Sequence, residues 1–588
     1  AGQGRKKMAL WFSRVVFNES LRFAYPNAYY SRTTFLEDWH RVEVDQVSAS
    51  TLDWFPYVSY GSDLQNNAGT EAEQFNVGLD FVWRPNSSTQ LTGALKPDFG
   101  QVESDDLVVN FSAFETYVSE KRPFFTENQS LFDASVPNGD SMLYTRRMGS
   151  GPSGSNGGLV DIDIAGKLTH FGENTDLGLF VVSEDQANQS VGGDFLSSRI
   201  RHKKGGLTLG HRLTYAERGL LGRDSTVQSL DMKWQKNPQV QILGQLLHSD
   251  VQQQGNSYNE QQDINSQDYA GWAKWSYAPS DNWSQSVYAS RYGDQFDMND
   301  MGFMKRNGYS ELLGRTRHDR LNYGDDSDIL SGFSLLEYGY TENTDGKKLF
   351  LWAMYHQDWI FKSTRSLHLD AGLSGDTWDD RITRGNGLYA KDATYWLEGK
   401  YGSPRGDSFS YRANIYTQFG GADKRTLSVS FKPQYYLSER VTLAGQLSYK
   451  NVEAWLIWDF DQQQLARYQT ERYGADLRFD WYPSNRQEVR LKFQWVGIDA
   501  QVISGYGLNN NGGLVESSQA SSNFSLSDTA LQVRYRYQLA PLSDIFLVYS
   551  RGGNFGDDDG DEGPRSLLQD GWSRVQVESV IAKLRYRF

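Results

Sequence analysis

The sequence predicts an all-β chain folded as one large transmembrane antiparallel β-barrel of roughly 24 strands, within a range of about 20 to 28. Three observations predict it. Apolar and polar residues alternate over segments of about 10 residues. Trp and Tyr gather at the ends of those segments. The connections between segments are short and long by turns.

The alternation is clearest at the carboxyl end. In VIAKLRYRF, Val580, Ala582, Leu584, Tyr586 and Phe588 form one face, and Ile581, Lys583, Arg585 and Arg587 the other. Side chains alternate across a strand, so one face meets lipid and the other a wet interior. Leu584, Tyr586 and Phe588, closing an alternating strand, resemble the assembly signal of bacterial outer-membrane barrels. The same pattern sets Leu477, Phe479 and Trp481 against Asp476, Arg478 and Asp480, and Val489, Leu491, Phe493 and Trp495 against Arg490, Lys492 and Gln494. It sets Leu531, Val533, Tyr535, Tyr537 and Leu539 against Gln532, Arg534, Arg536 and Gln538. Nearer the amino end, Val160, Ile162, Ile164 and Leu168 oppose Asp161, Asp163 and Lys167. A soluble sandwich would show the same alternation with its polar face in water. Length and aromatic ends favour the membrane, because a tilted spanning strand needs about 9–11 residues and interfacial girdles are built from Trp and Tyr.

Short connections fall at 84–88, 278–282, 437–440, 482–487 and 539–543, and long ones at 184–194, 249–267, 375–387 and 552–571. Outer-membrane barrels have short periplasmic turns and long external loops. The 588 residues exceed the usual single domain, and one large barrel, 1–588, accommodates them. No window reaches about 18 consecutive apolar residues, so no membrane-spanning helix is expected, whereas barrel strands give only a weak hydropathy signal. The absence of cysteine excludes disulfides, thiolate metal sites, thiol catalysis and covalent haem attachment. A net charge of −14 argues against nucleic acid as a partner. The eight histidines are scattered, and no cofactor, metal site or catalytic residue is read from the sequence. The chain opens on AGQGRKKM without a secretory signal, as a mature or trimmed chain would.

One stretch breaks the alternation. Residues 97–150 lie between a strand that rises from the short turn at 84–88 and one that descends from about 157. The segment therefore starts and ends at the outer rim. A barrel of about 24 strands encloses more than side chains can fill, so a filling is expected, either a plug from this chain or a partner, and this insert is the internal candidate. Leu107, Phe111, Phe114 and Val118 follow one helical stripe, with Ser104 or Asp105 as cap and Lys121-Arg122-Pro123 past the far end. The insert is then either a lid packed on its own aromatics or an acidic plug. In the second reading Asp98, Glu103, Asp105, Asp106 and Glu115 dock on a basic lumen face made by Arg490, Lys492, Arg534, Arg536, Lys583, Arg585 and Arg587. Those basic residues otherwise face water in an open pore.

The segment PDFGQVESDDLVVNFSAFETYVSEKRPFF, followed by LYTRRMG, resembles a large family of bacterial outer-membrane barrels of unsettled role. Asp98, Phe99, Lys121, Arg122, Arg146 and Arg147 lie in the matching residues. MALWFSRVV resembles that family's first barrel strand, and GDQFDMNDMGFMKRNGYSEL resembles a second family segment. This chain departs from the pattern at Val118-Ser119-Glu120 and at Thr126-Glu127-Asn128. Members usually carry an amino-terminal domain similar to family-nine carbohydrate-binding modules, and a chain beginning at the barrel is expected to lack it. The resemblance implies an outer-membrane location and carbohydrate handling, but no reaction.

Two stretches carry residues suited to catalytic or metal chemistry. GPSGSNGG (151–158) has serine among glycines without a strand–turn–helix context, and reads as a loop. GDDDGDEG (556–563) clusters carboxylates without EF-hand spacing, and reads as a solvated loop tip. The chain is therefore expected not to be an enzyme. The expected function is a plugged or constricted porin-like channel for polar or anionic solutes, with glycans among them. The alternative is a sheath that holds a periplasmic or surface partner, including an electron-conduit protein or lipoprotein. Expected partners are outer-membrane lipid, lipopolysaccharide and the barrel-assembly machinery.

Overall fold

The computed structural model describes the chain apart from residues 1–4, 17–20, 27, 29–34, 37, 46–49, 66–72, 98–104, 133–138, 151–159, 186–191, 256–262, 405, 407, 559 and 561. Asp98, Phe99, Glu103, Ser104 and the 151–158 glycine loop lie outside the described residues.

Antiparallel strands from Thr51–Asp63 to Val575–Arg585 follow one another around a closed barrel. The three-residue strand Leu514–Glu516 only extends a loop, because its neighbours Gln487–Leu508 and Phe524–Ala540 pair directly. The wall therefore has 24 strands. It closes where Ser579 to Arg585 pair with Asp63 to Tyr57. Beyond that ladder, Tyr586 N donates to Pro56 O at 3.2 Å, and Phe588 and Trp54 exchange backbone bonds at 2.9 and 3.2 Å.

Period-two alternation decides what faces out. In Thr175–Glu184, Leu177, Leu179 and Val181 are exposed, while Asp176, Gly178, Phe180 and Val182 are turned inward and largely buried. The exposed face is apolar, as a lipid-facing surface requires. Trp83, Trp234, Trp283 and Trp481 are exposed within a few residues of short turns and mark one interfacial girdle.

Four expectations are corrected. MALWFSRVV is not a barrel strand: Arg5–Leu10 and Phe12–Val16 pair with His40–Asp45 and Leu21–Tyr25 in two separate two-stranded sheets. Val160, Ile162, Ile164 and Leu168 do not share a face, because a register shift between Ile162 and Ile164 leaves Ile162 buried and Ile164 exposed. One bulged residue flips every side chain beyond it. The longest strands, such as the 22-residue Gln487–Leu508, exceed a membrane span and carry the sheet past it. The stretch 552–571 is largely regular structure rather than loop: its strand continues to Asp557, and a helix at Pro564–Ser573 buries Leu567 against Trp495 and Phe555. Trp495 is thus covered by protein rather than lipid. In the acidic tip before that helix, Glu562 N donates to Asp499 Oδ1 at 3.1 Å.

Candidate functional site

The expected helix over Leu107–Val118 does not form. Residues 105–122 run without regular secondary structure. The local chemistry explains this: Asn110 Oδ1 accepts from Ser112 N at 2.8 Å, and Asn110 Nδ2 donates to Phe114 O at 2.6 Å. Such side chains compete with the helical ladder for backbone groups. Helices begin instead where a stop was read. Pro123 opens the turn Pro123–Thr126, and Gln129–Phe132 follows. Proline's fixed φ and missing N–H suit the first helical position.

The insert's contacts fall on two arcs of the wall, on far sides of the ring. On one arc, Phe124, Phe125, Leu131, Phe132 and Met148 are buried with Phe180, Val182, Phe195 and Ala216 of the inner wall. Phe132 fits because position 178 is glycine. A Cβ there would lie 2.8 Å from the Phe132 ring. Full burial of one large apolar side chain is worth about 1.5–3 kcal/mol, so this cluster is the main anchor.

The second family-like segment completes that anchor. Ser141 and Phe303 exchange backbone hydrogen bonds at 2.9 and 2.7 Å, and Tyr144 N donates to Met301 O at 2.8 Å. Met142 packs with Phe296, Met298 and Met304 in an adjoining core. Sequence reading singled out both segments but did not join them. Their shared membership in one resemblance was the available signal.

The insert's acids mostly meet its own bases. Glu120 holds Arg122 in a two-bond pair, Nε to Oε1 at 2.9 Å and Nη2 to Oε2 at 2.7 Å, and accepts from Thr145 Oγ1 at 2.6 Å. Burial alone would raise the Glu120 carboxyl, but the Arg122 guanidinium more than offsets it and holds the group below its ordinary range. Arg122 also donates to Thr145 O and Met148 O, at 2.7 and 2.8 Å. Arg147 pairs with Glu115 at 2.8 and 2.6 Å and donates to Gly302 O at 3.0 Å. Arg146 and Lys121 both reach Asp105, at 2.6 and 3.7 Å. Asp140 is different. Burial pushes its carboxyl up to about 6, despite a hydrogen bond from Lys305 N at 3.3 Å. Glu120, Thr145 and Asp140 were missed by sequence reading because their roles depend on partners far along the chain.

On the other arc, Val109 and Phe111 pack near Trp455, Ile498 and Ala500. The Phe111 ring stands edge-on to Trp455, with centroids 5.0 Å apart. Phe114 is half-buried. Asp106 meets Lys492 Nζ at 2.7 Å and Arg478 at 4.0 Å. Hydrogen bonding from Lys492 holds the Asp106 carboxyl below its ordinary range. A cleft of about 460 Å³, lined in part by Asp106, Lys432, Gln446, Asp476 and Arg478, opens beside this contact.

The other basic residues are neutralised within the wall. Arg490 meets Glu488 at 2.7 Å and Asp480 at 3.2 Å. Arg534 meets Glu488 at 2.8 Å, and Arg536 meets Asp544 at 2.9 Å. Arg585 meets Asp80 at 3.1 Å, and Arg587 meets Asp53 at 2.7 Å. Lys583 is buried, its Nζ 4.1 Å from the Tyr57 ring centroid. Among the described insert acids, the ion pairs to the expected basic face come from Asp106 alone. Leu584, Tyr586 and Phe588 stand exposed on the outer face.

A closed 24-strand barrel with an apolar outer face and a Trp girdle is an integral β-barrel of the bacterial outer membrane. The family model described as a domain of unknown function, DUF5916, matches residues 49–177 and 214–571, and the chain belongs to that family. The match begins beside the first true barrel strand. No curated protein matches the chain. Solved structures that resemble it include the ferric enterobactin receptor PfeA, 8% identical with TM-score 0.38, the alignment covering 93% of this chain and 83% of that one. The siderophore receptor PiuA from Acinetobacter baumannii is 8% identical with TM-score 0.31 over 93% and 83%. OmpF of Salmonella typhi is 11% identical with TM-score 0.25 over 66% and 100%. Likenesses this distant carry no functional argument, and the functional reading rests on the chain's own residues.

Proposed function

We propose that the chain is an outer-membrane channel for polar solutes, constricted by the insert 97–150 acting as a plug, and that it transports rather than catalyses. One observation carries the reading: the insert is packed against two arcs of the inner wall on far sides of the ring. A segment held in that way obstructs the lumen between them. The polar cleft beside Asp106 supplies space for a solute at the more weakly held end.

The pairing of Arg490, Arg534, Arg536, Arg585 and Arg587 with wall carboxylates lowers the case for strong anion preference. Polar solutes, glycans included, fit a lumen wall of compensated charges better than small anions do. Planar-bilayer conductance of the purified chain, with and without residues 105–148, tests the reading. Small or silent steps for the intact chain and large steps for the deletion are expected. Equal conductance from both refutes the plug. A stoichiometric protein partner that co-purifies and is needed for closure would instead favour the sheath.

A further inference from the structure

Two adjacent strands each carry a His-x-Asp triplet: His356-Gln357-Asp358 in Lys348–Phe361, and His368-Leu369-Asp370 in Ser366–Ser374. The antiparallel register sets His356 opposite Asp370 and His368 opposite Asp358. Alternation puts all four on one face, opposite the exposed Leu369 and Leu373, so they line the lumen side of the wall.

Each imidazole turns one nitrogen to a common point and the other to a carboxylate. His356 Nδ1 and His368 Nε2 both contact Asp370 Oδ1, the second at 2.8 Å. On the outer side, His356 Nε2 lies 3.1 Å from Glu337 Oε2, and His368 Nδ1 lies 3.3 Å from Asp358 Oδ2. One ligand atom from each of His356, His368 and Asp370 falls within 4.8 Å of the others. Lys400 Nζ, 3.6 Å from Asp370 Oδ2, steadies the second carboxylate oxygen.

We infer that His356, His368 and Asp370 bind one divalent transition-metal ion of the zinc class. Carboxylates that accept the outer N–H fix each ring with its lone pair aimed inward, the arrangement that metal-bound histidines show. The Glu337, Asp358 and Asp370 carboxylates surround that point with negative charge, and the nearby cations are partly engaged elsewhere, Arg315 at 3.5 Å from Glu337 and Lys400 at 2.8 Å from Glu398. Two imidazoles and one carboxylate suit Zn²⁺ or Ni²⁺, leaving a further position open to the lumen. A bound ion would clamp two strands and fix a positive charge on that wall. The inference is independent of whether the insert closes the lumen.

Calorimetric titration of the tag-free full chain in detergent with ZnCl2 tests it. One site is expected, with proton release on binding. The double variant His356→Ala/His368→Ala should lose the site, and His248→Gln, distant from it, should retain it. Glu337→Gln should weaken binding by about 10- to 100-fold, as loss of an outer carboxylate does. Heat-dependent gel mobility reports whether each barrel is folded. If the double variant does not fold, the Glu337→Gln variant decides. Absence of Zn²⁺ binding by the full chain, equal binding by a folded double variant, or unchanged affinity in folded Glu337→Gln overturns the site.

Discussion

The two ends of the insert are held by different physics. At the anchor, five large apolar side chains are buried against the wall, and the Glu120–Arg122 pair is shielded, its side chains only 6% and 9% exposed. At the far end, Asp106 is 61% exposed where it meets Lys492, and one aromatic ring, Phe111, packs beside it. A buried pair loses several kcal/mol when one partner is removed. In the Asp106–Lys492 pair, Lys492 is itself only 6% exposed, but water reaches and screens the Asp106 charge, which puts the contribution near the exposed-pair value of about 0–1 kcal/mol. The comparison teaches that charge matters to the insert where packing shields it, and little where water reaches it. The far end is therefore the one that can release while the insert stays tethered.

The largest effect should come from splitting the buried pair. Glu120→Ala takes the neutralising carboxylate from the shielded Arg122, whose bonds to Thr145 O and Met148 O remain, and should cost about 3–5 kcal/mol of insert stability; protease clipping within 105–148 of the folded barrel would read it. Leu131→Ala should cost about 2–5 kcal/mol through the cavity it leaves, with larger conductance steps as the readout. If either variant stays as closed and protected as the parent chain, the anchor has been misplaced.

A pH scan sharpens the contrast within the anchor. The docked Asp140 carboxyl, raised to about 6, favours its protonated form more than a freed one with an ordinary value of 3.8 does. Docking should thus tighten as pH falls from about 6 towards 3.8, and hold a constant, weaker value above that window, changing by at most about tenfold per pH unit. Asp140→Asn should flatten that profile, as measured by protection from protease. The smallest effect is expected at the far end. Asp106→Asn should change docking by no more than about 1 kcal/mol, read again as protection from protease. A loss of protection there as large as that in Glu120→Ala would reverse the comparison.

Much of the barrel was legible in the sequence because alternation and turn spacing are local. The strand number, the short turns and the outward Leu584, Tyr586 and Phe588 follow from residues close in the chain. The rest depends on register. Arg490 and Asp480 are direct cross-strand partners, but no local pattern says so. The same holds for the two His-x-Asp triplets, whose spacing became meaningful only when antiparallel pairing set each His against the other triplet's Asp. The Leu107–Val118 stripe misled because apolar residues in an irregular segment can mimic helical spacing, and side chains such as Asn110 decided the backbone. Pro123 was read as an ending and is a beginning.

The seam between Thr51–Asp63 and Val575–Arg585 joins the two extremes of the wall, and the terminal Phe588 still bonds to Trp54. The anchor and its wall partners all lie before residue 310, whereas the ring is shut by the last strand of the wall. One ladder of seven residue pairs thus turns an open palisade with a stopper fastened to its staves into a corked tube.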